Sequence, residues 1–374
     1  MVNEKEKKTK IQIIAESLYK VKDSKDDFLK VFRFFCILYF KNSHALFTYP
    51  GSKKKMIEEL NDVFDKLHLE KHSITSKGYD TFIDLFGGGA NSTIALLDSL
   101  KLGGCKEFIF NDIDKCVYST HLNCKEKPEE MISEFSEFIR TNFIKPYKTV
   151  FLSNEIYNKI IAPEIDEFYR LQTNKDYGVP LSIRFMLFRE LSYSGTLKYR
   201  SEKDGGGHQF TKKVYDMSRA TSEIFRIIPK IMKFSELYNK HNIKFYNEDA
   251  FDLLQTDKFK DLSHTLINLD PPYVDEMKED IDEEKLKVMT SEELKDCTID
   301  YNIQFNHIAL LESLSSMNFI YNNNRHPIVE FYANKINASY ETFNRNECIS
   351  SKKDKKNKTV EEYIVYNNST IHPL

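Results

Sequence analysis

The sequence predicts an α/β fold, a mostly parallel sheet built from βαβ units and interrupted by a helix-rich insert. Three observations lead there. From Tyr79 onward short apolar runs alternate with helical stretches, the pattern of parallel strands joined by crossover helices. The runs "GYDTFIDLF" and "KEFIFNDID" flank the helical "NSTIALLDSLKLGG", a βαβ unit whose ligand crevice is expected at the carboxyl ends of its strands. The alternation lapses between about Pro146 and Lys233 and then resumes, so the helix-rich stretch is an insert rather than a tail.

Composition sets bounds on what the chain does. Its 374 residues suffice for two domains and a sizeable core. A net charge of −3 provides no global positive field, so any nucleic-acid binding must use local patches. Cys36, Cys105, Cys116, Cys124, Cys297 and Cys348 form neither a C-x-x-C pair nor a zinc-type spacing, and no H-E-x-x-H is present. The expectation is therefore a reducing compartment, no disulfide framework and no metal. "VFRFFCILYF" is too short to span a membrane and contains Arg33, so it reads as a buried helix.

Along the chain, residues 1–46 form a charged start followed by apolar residues at helical spacing, a helical extension expected to pack on the main domain. After the βαβ unit comes the insert, which mixes helical runs with the loop "SYSGTLKYRSEKDGGGHQFTKK". Alternation returns through "IKFYNEDAFDLL", "HTLINLDPPYV", "MNFIYNNN", "HPIVEFYAN" and "EEYIVYN". The acidic run "DEMKEDIDEE" and the lysine run "KKDKKNK" read as solvated loops.

Chemistry concentrates at three strand ends. "DLFGGGA" (Asp84 to Ala90) puts glycines at a strand-to-helix junction, where a ligand can approach the backbone and the helix N-terminal N–H groups. Asp112 follows Gly89 by 23 positions, the placement of an acid that accepts from a ribose diol. Glycines and acid together suit an adenosine-bearing cofactor, a dinucleotide included. The third end, "LINLDPPYV", closes an apolar strand with Asp270, Pro271, Pro272 and Tyr273. Two prolines stop the strand. They leave a carboxylate, a prolyl carbonyl and a phenol face together, a set suited to a planar group bearing an NH2.

With these motifs in this order the chain resembles the S-adenosylmethionine-dependent amino-methyltransferases of DNA. More narrowly, it is similar to the Dam-type (D12 class) adenine-N6 family. The resemblance runs from "YPGSKKKM" (Tyr49 to Met56) to the closing "EEYIVYN". "FIDLFGGGA" looks like the glycine-rich cofactor motif, "FNDID" like the ribose-binding acid, "FYNEDAFDLL" like the motif near the cofactor's adenine, and "DPPY" like the catalytic tetrad. Cytosine-N4 enzymes more often carry Ser where this chain has Asp270, and glutamine-modifying relatives carry Asn.

The resemblance implies a Rossmann-like class I methyltransferase fold, its mostly parallel sheet ending in an antiparallel edge strand, with a mainly helical target-recognition insert. The domains it implies are the extension 1–46, a catalytic domain of 47–145 with 236–374, and a target-recognition domain of 146–235. S-adenosylmethionine as methyl donor, leaving S-adenosylhomocysteine, would be held by Tyr49, Gly51, Lys53, Asp84, Phe86, Gly87, Gly88, Gly89, Asp112, Ile113, Asp249, Ala250 and Asp270. Double-stranded DNA would meet Lys53, Tyr193, Ser194, Lys198, Tyr199, Arg200, Lys212 and Lys213. Other implications are a monomer or weak dimer, no membrane, and a cytoplasmic location on nucleoid or viral DNA; protection against a restriction endonuclease partner in the same system, marking of replicated DNA and a viral role all stay open.

Some positions depart from the family pattern. Ala90 stands where a further glycine is allowed. In "YSGTLKY", similar to the family's target-reading loop, Ser194 replaces the usual Asn and Lys198 the usual Arg. Lys mimics the guanine-reading fork of Arg less rigidly, so the GATC target is not carried over. Between Arg184 and Arg219 eight Lys/Arg face four acids, about +4 in a chain of net −3. Tyr193, Tyr199, His208 and Phe210 interleave with that charge, a mixture suited to phosphate contact and base stacking. The expected reaction is methylation of adenine N6 on a flipped-out base. The alternatives are methylation of cytosine N4 or an RNA base, and a non-catalytic DNA-binding subunit with the same fold.

Overall fold

The computed structural model describes residues 4–40, 45–47, 60, 62–63, 79–98, 105–192, 197–199, 208–209, 217–256, 264–272, 274–277, 298–300, 306–346 and 359–367. They divide into two compact units, residues 1–52 with 114–240 and residues 53–113 with 241–374.

The second unit is the sheet. Its strands are β1 (Thr81–Asp84), β2 (Glu107–Asn111), β3 (Lys244–Tyr246), β4 (Thr265–Leu269), β5 (Asn318–Asn324), β6 (Ser339–Asn346) and β7 (Thr359–Asn367). They lie in the order β6-β7-β5-β4-β1-β2-β3. The five strands from β5 to β3 run parallel; β7 enters antiparallel to β5 and β6 antiparallel to β7. Every residue of β4 is buried, as a central strand covered on both faces requires. The chain winds outward from β1 to β2 and β3, then returns to build β4 and β5 on the other side of β1. The reversal lies between β1 and β4, where ligands of open α/β sheets bind.

Ile83, Ile109, Ile267, Leu269, Phe319 and Tyr321 form the centre of this unit's core. β5 buries Asn318, Asn322 and Asn323 as well. Their amides are used: Asn318 Nδ2 donates to the Thr265 carbonyl at 3.2 Å, Asn322 Nδ2 to Leu269 at 3.1 Å and Asn323 Nδ2 to the Tyr321 hydroxyl at 2.8 Å. The acidic run expected to be a loop begins as a strand. Val274–Met277 pairs antiparallel, with a bulge, to Thr298–Asp300. The lysine run lies outside the described residues.

The other unit is helical. Val179–Leu191 is buried along nearly its whole length, the mark of a central helix rather than an amphipathic surface one. Lys115–Glu126, Pro128–Ile139, Asn154–Thr173 and Met217–Lys240 pack round it. Buried charge is paired: Lys230 Nζ lies 2.6 Å from Glu190 Oε1. The N-terminal extension forms two helices, Glu4–Lys20 and Lys25–Tyr39, and joins this unit. Phe32 packs 6.1 Å from Phe135 and 5.6 Å from Phe225, centroid to centroid, and Arg140 Nη1 donates to the Lys22 carbonyl at 2.8 Å. The observed division falls between residues 113 and 114, whereas the sequence reading put residues up to 145 with the sheet. The apolar faces of the 115–126 and 128–139 helices decide it, since both pack on Val179–Leu191. Among the described residues no helix is long and apolar enough to cross a membrane.

Candidate active site

The turn after β1 is shaped by what lies beneath it. A Cβ on Gly87 would run into the Phe110 ring of β2, so the position excludes any side chain. Gly87 N–H donates to the Asn111 carbonyl at 2.8 Å, which draws the turn across the end of β2. Gly88 follows in the left-handed region (φ 48°), and its N–H donates to Asp112 Oδ2 at 2.8 Å. Ala90, with φ 61°, closes the turn, its carbonyl accepting from Ile94 at 3.0 Å inside the Asn91–Asp98 helix.

Two outcomes are expected here. Gly87→Ala should cost about 1–3 kcal/mol by overpacking, read as a lower urea midpoint. Ala90→Gly should raise that midpoint slightly. The left-handed penalty of about 1–2 kcal/mol is relieved, against roughly 0.5–1 kcal/mol of added chain entropy in the unfolded state. A drop in stability would mean that the Ala90 methyl packs better than its strain costs.

The ends of β2 and β3 are laced together by asparagines. Asn111 Nδ2 donates to the carbonyls of Leu85 (3.2 Å) and Glu248 (3.0 Å), while its Oδ1 accepts the Glu248 N–H at 3.1 Å. One amide thus binds the loops after β1, β2 and β3. Asn247 Nδ2 donates to the carbonyls of Asp112 (2.7 Å) and Ile113 (2.9 Å). Asp112 is held between the glycine turn and this lacing, and Ile113 is left 66% exposed beside it, unusual for a large apolar residue. Asp249 caps the Ala250–Gln255 helix by accepting from Phe251 N–H at 2.8 Å; it is exposed, and Ala250 is buried.

Asp84 ends β1 with 2% of its surface exposed. One oxygen accepts from the Thr93 hydroxyl, the other from Asn268 Nδ2 at 3.1 Å, across the register pair Asp84↔Asn268. Burial pushes its carboxyl up to about 6, against the hydrogen bonds from Thr93 and Asn268; the negative charge of Asp270 adds to the push and the Phe86 N–H opposes it. Asp270, half-buried, therefore stands close enough to Asp84 to act on it. Pro271 is buried and Pro272 half-buried.

The structure thus brings Asp84, Phe86 to Gly89, Asp112, Ile113, Asp249, Ala250, Asp270, Pro271 and Pro272 to the carboxyl ends of neighbouring strands of one sheet. Tyr49, Gly51, Lys53, Tyr193, Ser194, Arg200, Lys212, Lys213 and Tyr273 lie outside the described residues. Lys198–Tyr199 forms a two-residue strand antiparallel to His208–Gln209.

The basic patch read from the insert is smaller than its charge count. Arg184 is committed to Glu164 at 2.8 Å, Arg189 is buried over the Phe185 ring, and His208 is buried too. Residues that shape the site but were not singled out in the sequence are Thr93, Asn111, Asn247 and Asn268. For Asn111 and Asn268 the one sequence signal is an Asn directly before, or one residue short of, the carboxylate at a strand end, "FND" and "INLD"; Thr93 and Asn247 carry no such signal in those stretches.

A sheet of this order with its last strand antiparallel, a glycine turn after β1 and an acid after β2, is that of a class I methyltransferase. Residues 49–347 match the D12 class N6 adenine-specific DNA methyltransferase family. The chain belongs to that family and is an adenine-specific DNA methyltransferase enzyme. It has no match among curated proteins.

Proposed function

We propose that the protein transfers a methyl group from S-adenosylmethionine to N6 of an adenine flipped out of duplex DNA. The observation that carries this reading is the convergence of the glycine turn, Asp112 and Asp270 at the reversal point of one sheet.

The chemistry of the strand ends fits that cofactor. Segments 84–90, 111–113, 247–250 and 268–272 carry Asp84, Asp112, Glu248, Asp249 and Asp270 and no Lys or Arg. Such a set repels a dinucleotide's pyrophosphate and favours a cationic nucleoside. Asp112 would accept from the ribose hydroxyls and Ile113 would lie against the adenine, with Asp249 and Ala250 beside it. Gly87 to Gly89 would let the amino-acid portion approach the backbone, and the Asp84 charge would favour its ammonium. When bound, the cofactor supplies an electrophilic methyl group on a sulfonium.

Asp270 and the Pro271 carbonyl would accept the two N6 hydrogens, drawing the nitrogen toward tetrahedral geometry and aiming its lone pair. Tyr273 would stack on the base, returning roughly 1–3 kcal/mol of the flipping cost. The new N–C bond would replace the methyl–sulfur bond, leaving neutral S-adenosylhomocysteine, and the extra proton on the now acidic N6 would leave through Asp270 to solvent. Positioning and electrostatics supply the rate, with no covalent intermediate. In the insert, the Lys198–Tyr199 strand with Tyr193, Ser194, Arg200, Lys212 and Lys213 would contact the DNA.

The test incubates the full chain and labelled S-adenosylmethionine with duplex DNA, single-stranded DNA and RNA separately. Nucleosides are then analysed by mass spectrometry. N6-methyladenine from the duplex is expected; label only in cytosine or only in RNA would overturn the proposal.

A further inference from the structure

Asp114, Cys116 and His208 are, among the described residues, the one group of ligand-type side chains whose donor atoms converge within 4.8 Å. The methyl transfer uses none of them. Their bonding points to a clamp. His208 is buried, and its Nε2–H donates to Asp114 Oδ2 at 2.5 Å. Asp114 Oδ1 accepts the Cys116 N–H at 2.8 Å, which caps the Lys115–Glu126 helix. Gln172 grips the backbone of His208 from both sides: Oε1 accepts its N–H at 2.5 Å and Nε2 donates to its carbonyl at 3.2 Å. The Phe185 ring lies 5.3 Å from the imidazole.

Three helices therefore contribute to holding one strand residue. The ladder that His208 belongs to, Tyr199↔His208 and Lys198↔Gln209, is two pairs long and too short to hold its own register in water. The charge balance disfavours a cation. Burial would raise the Asp114 carboxyl, but the charge and hydrogen bond of His208, with Arg189, hold it below the usual range. Burial also keeps the Cys116 thiol well above its usual range, hence protonated.

We propose that His208 is a positioning residue for target recognition: through Asp114 it fixes the Lys198–Tyr199 strand to the cap of the Lys115–Glu126 helix. The inference rests on the reading of the insert as the DNA-contacting element. The pair makes no contact with base or phosphate. It sets where the contacting residues stand, and so governs the affinity for DNA rather than the chemical step.

The test is steady-state methylation of unmethylated genomic duplex DNA by the full chain and four variants: His208→Ala, His208→Gln, Asp114→Ser and the Ala/Ser double. Ser still caps the helix but is too short to reach His208. Each of His208→Ala and Asp114→Ser is expected to raise KM for DNA about tenfold, with kcat within about twofold of wild type. KM is independent of the fraction of molecules folded, so partial unfolding would lower kcat alone. The double variant should be no worse than the worse single, because the two changes break one interaction. Gln keeps an N–H donor and should recover part of the loss. Unchanged KM in both singles, additive losses, or a KM raised in the wild type by EDTA would overturn the clamp, the last by revealing a metal site. An inactive wild type would overturn the proposed function, and this inference with it.

Discussion

Asp270→Ala is expected to lower kcat on duplex DNA by at least about 10²-fold, the usual consequence of removing one preorganised polar group from a reacting centre. The cofactor Kd should change by less than about tenfold, since the glycine turn and Asp112 sit on other strands and are tied to each other. Asp270→Asn should fall between: its amide keeps one acceptor oxygen but turns an N–H toward the substrate amine. Both variants also take a negative charge from the neighbourhood of Asp84, whose carboxyl should titrate at a lower pH as a result. Single-turnover methylation with isotope-labelled cofactor, together with calorimetric titration of cofactor binding, checks the split. Turnover within threefold of wild type would remove Asp270 from the reaction.

The second large effect concerns Asp84 and stability. Its carboxyl stands at about 6 in the fold against 3.8 for the unperturbed group. The folded state therefore binds this proton more tightly than the unfolded chain. The stabilisation is complete below about pH 4 and is lost as pH rises through 6, on the order of 3 kcal/mol in all. Asp84→Asn cannot titrate. Its side-chain oxygen can still accept from Asn268, and the Thr93 hydroxyl can turn to accept from the new amide. Unfolding free energy of the variant should exceed that of wild type at pH 8 and depend less on pH between 4 and 6. The same variant should bind S-adenosylmethionine more weakly. Parallel pH slopes for the two proteins would show that Asp84 does not titrate in that window.

What was legible in the sequence followed from local physics. β1, β2 and β4 read directly because each is an apolar run stopped by residues with one clear reason to be there: glycines at a tight turn, an acid at a loop, a proline pair. The left-handed turn at Ala90 was legible as a departure from pattern but not as a backbone conformation. Long-range pairing was what remained hidden. Asn111 looks like any strand-end asparagine until Leu85 and Glu248, 26 residues before and 137 after, are brought to its amide. Charge misled in a similar way. Arg184 and Arg189 counted toward a DNA-facing patch and His208 toward its stacking rings, but a linear reading cannot distinguish a side chain in solvent from one locked to Glu164, an aromatic ring or Asp114. The helices of 115–139 follow β2 in the chain and so read as part of the sheet domain, whereas their apolar faces pack on other helices.

The strand order has a consequence for how the molecule can be cut. β2 and β3 are parallel neighbours, so residue 113 leaves from the carboxyl end of one and residue 241 returns toward the amino end of the other. Residues 114–240 are thus not a loop hung on two adjacent anchor points. They form the crossover itself, enlarged into a module. A short turn cannot substitute for it, because parallel neighbours need a connection of roughly a dozen residues at minimum. Excising the module and joining its stumps would orphan β3 and unstitch the Glu248 end of the asparagine lacing. A grafted replacement would have to span the sheet before it could recognise anything.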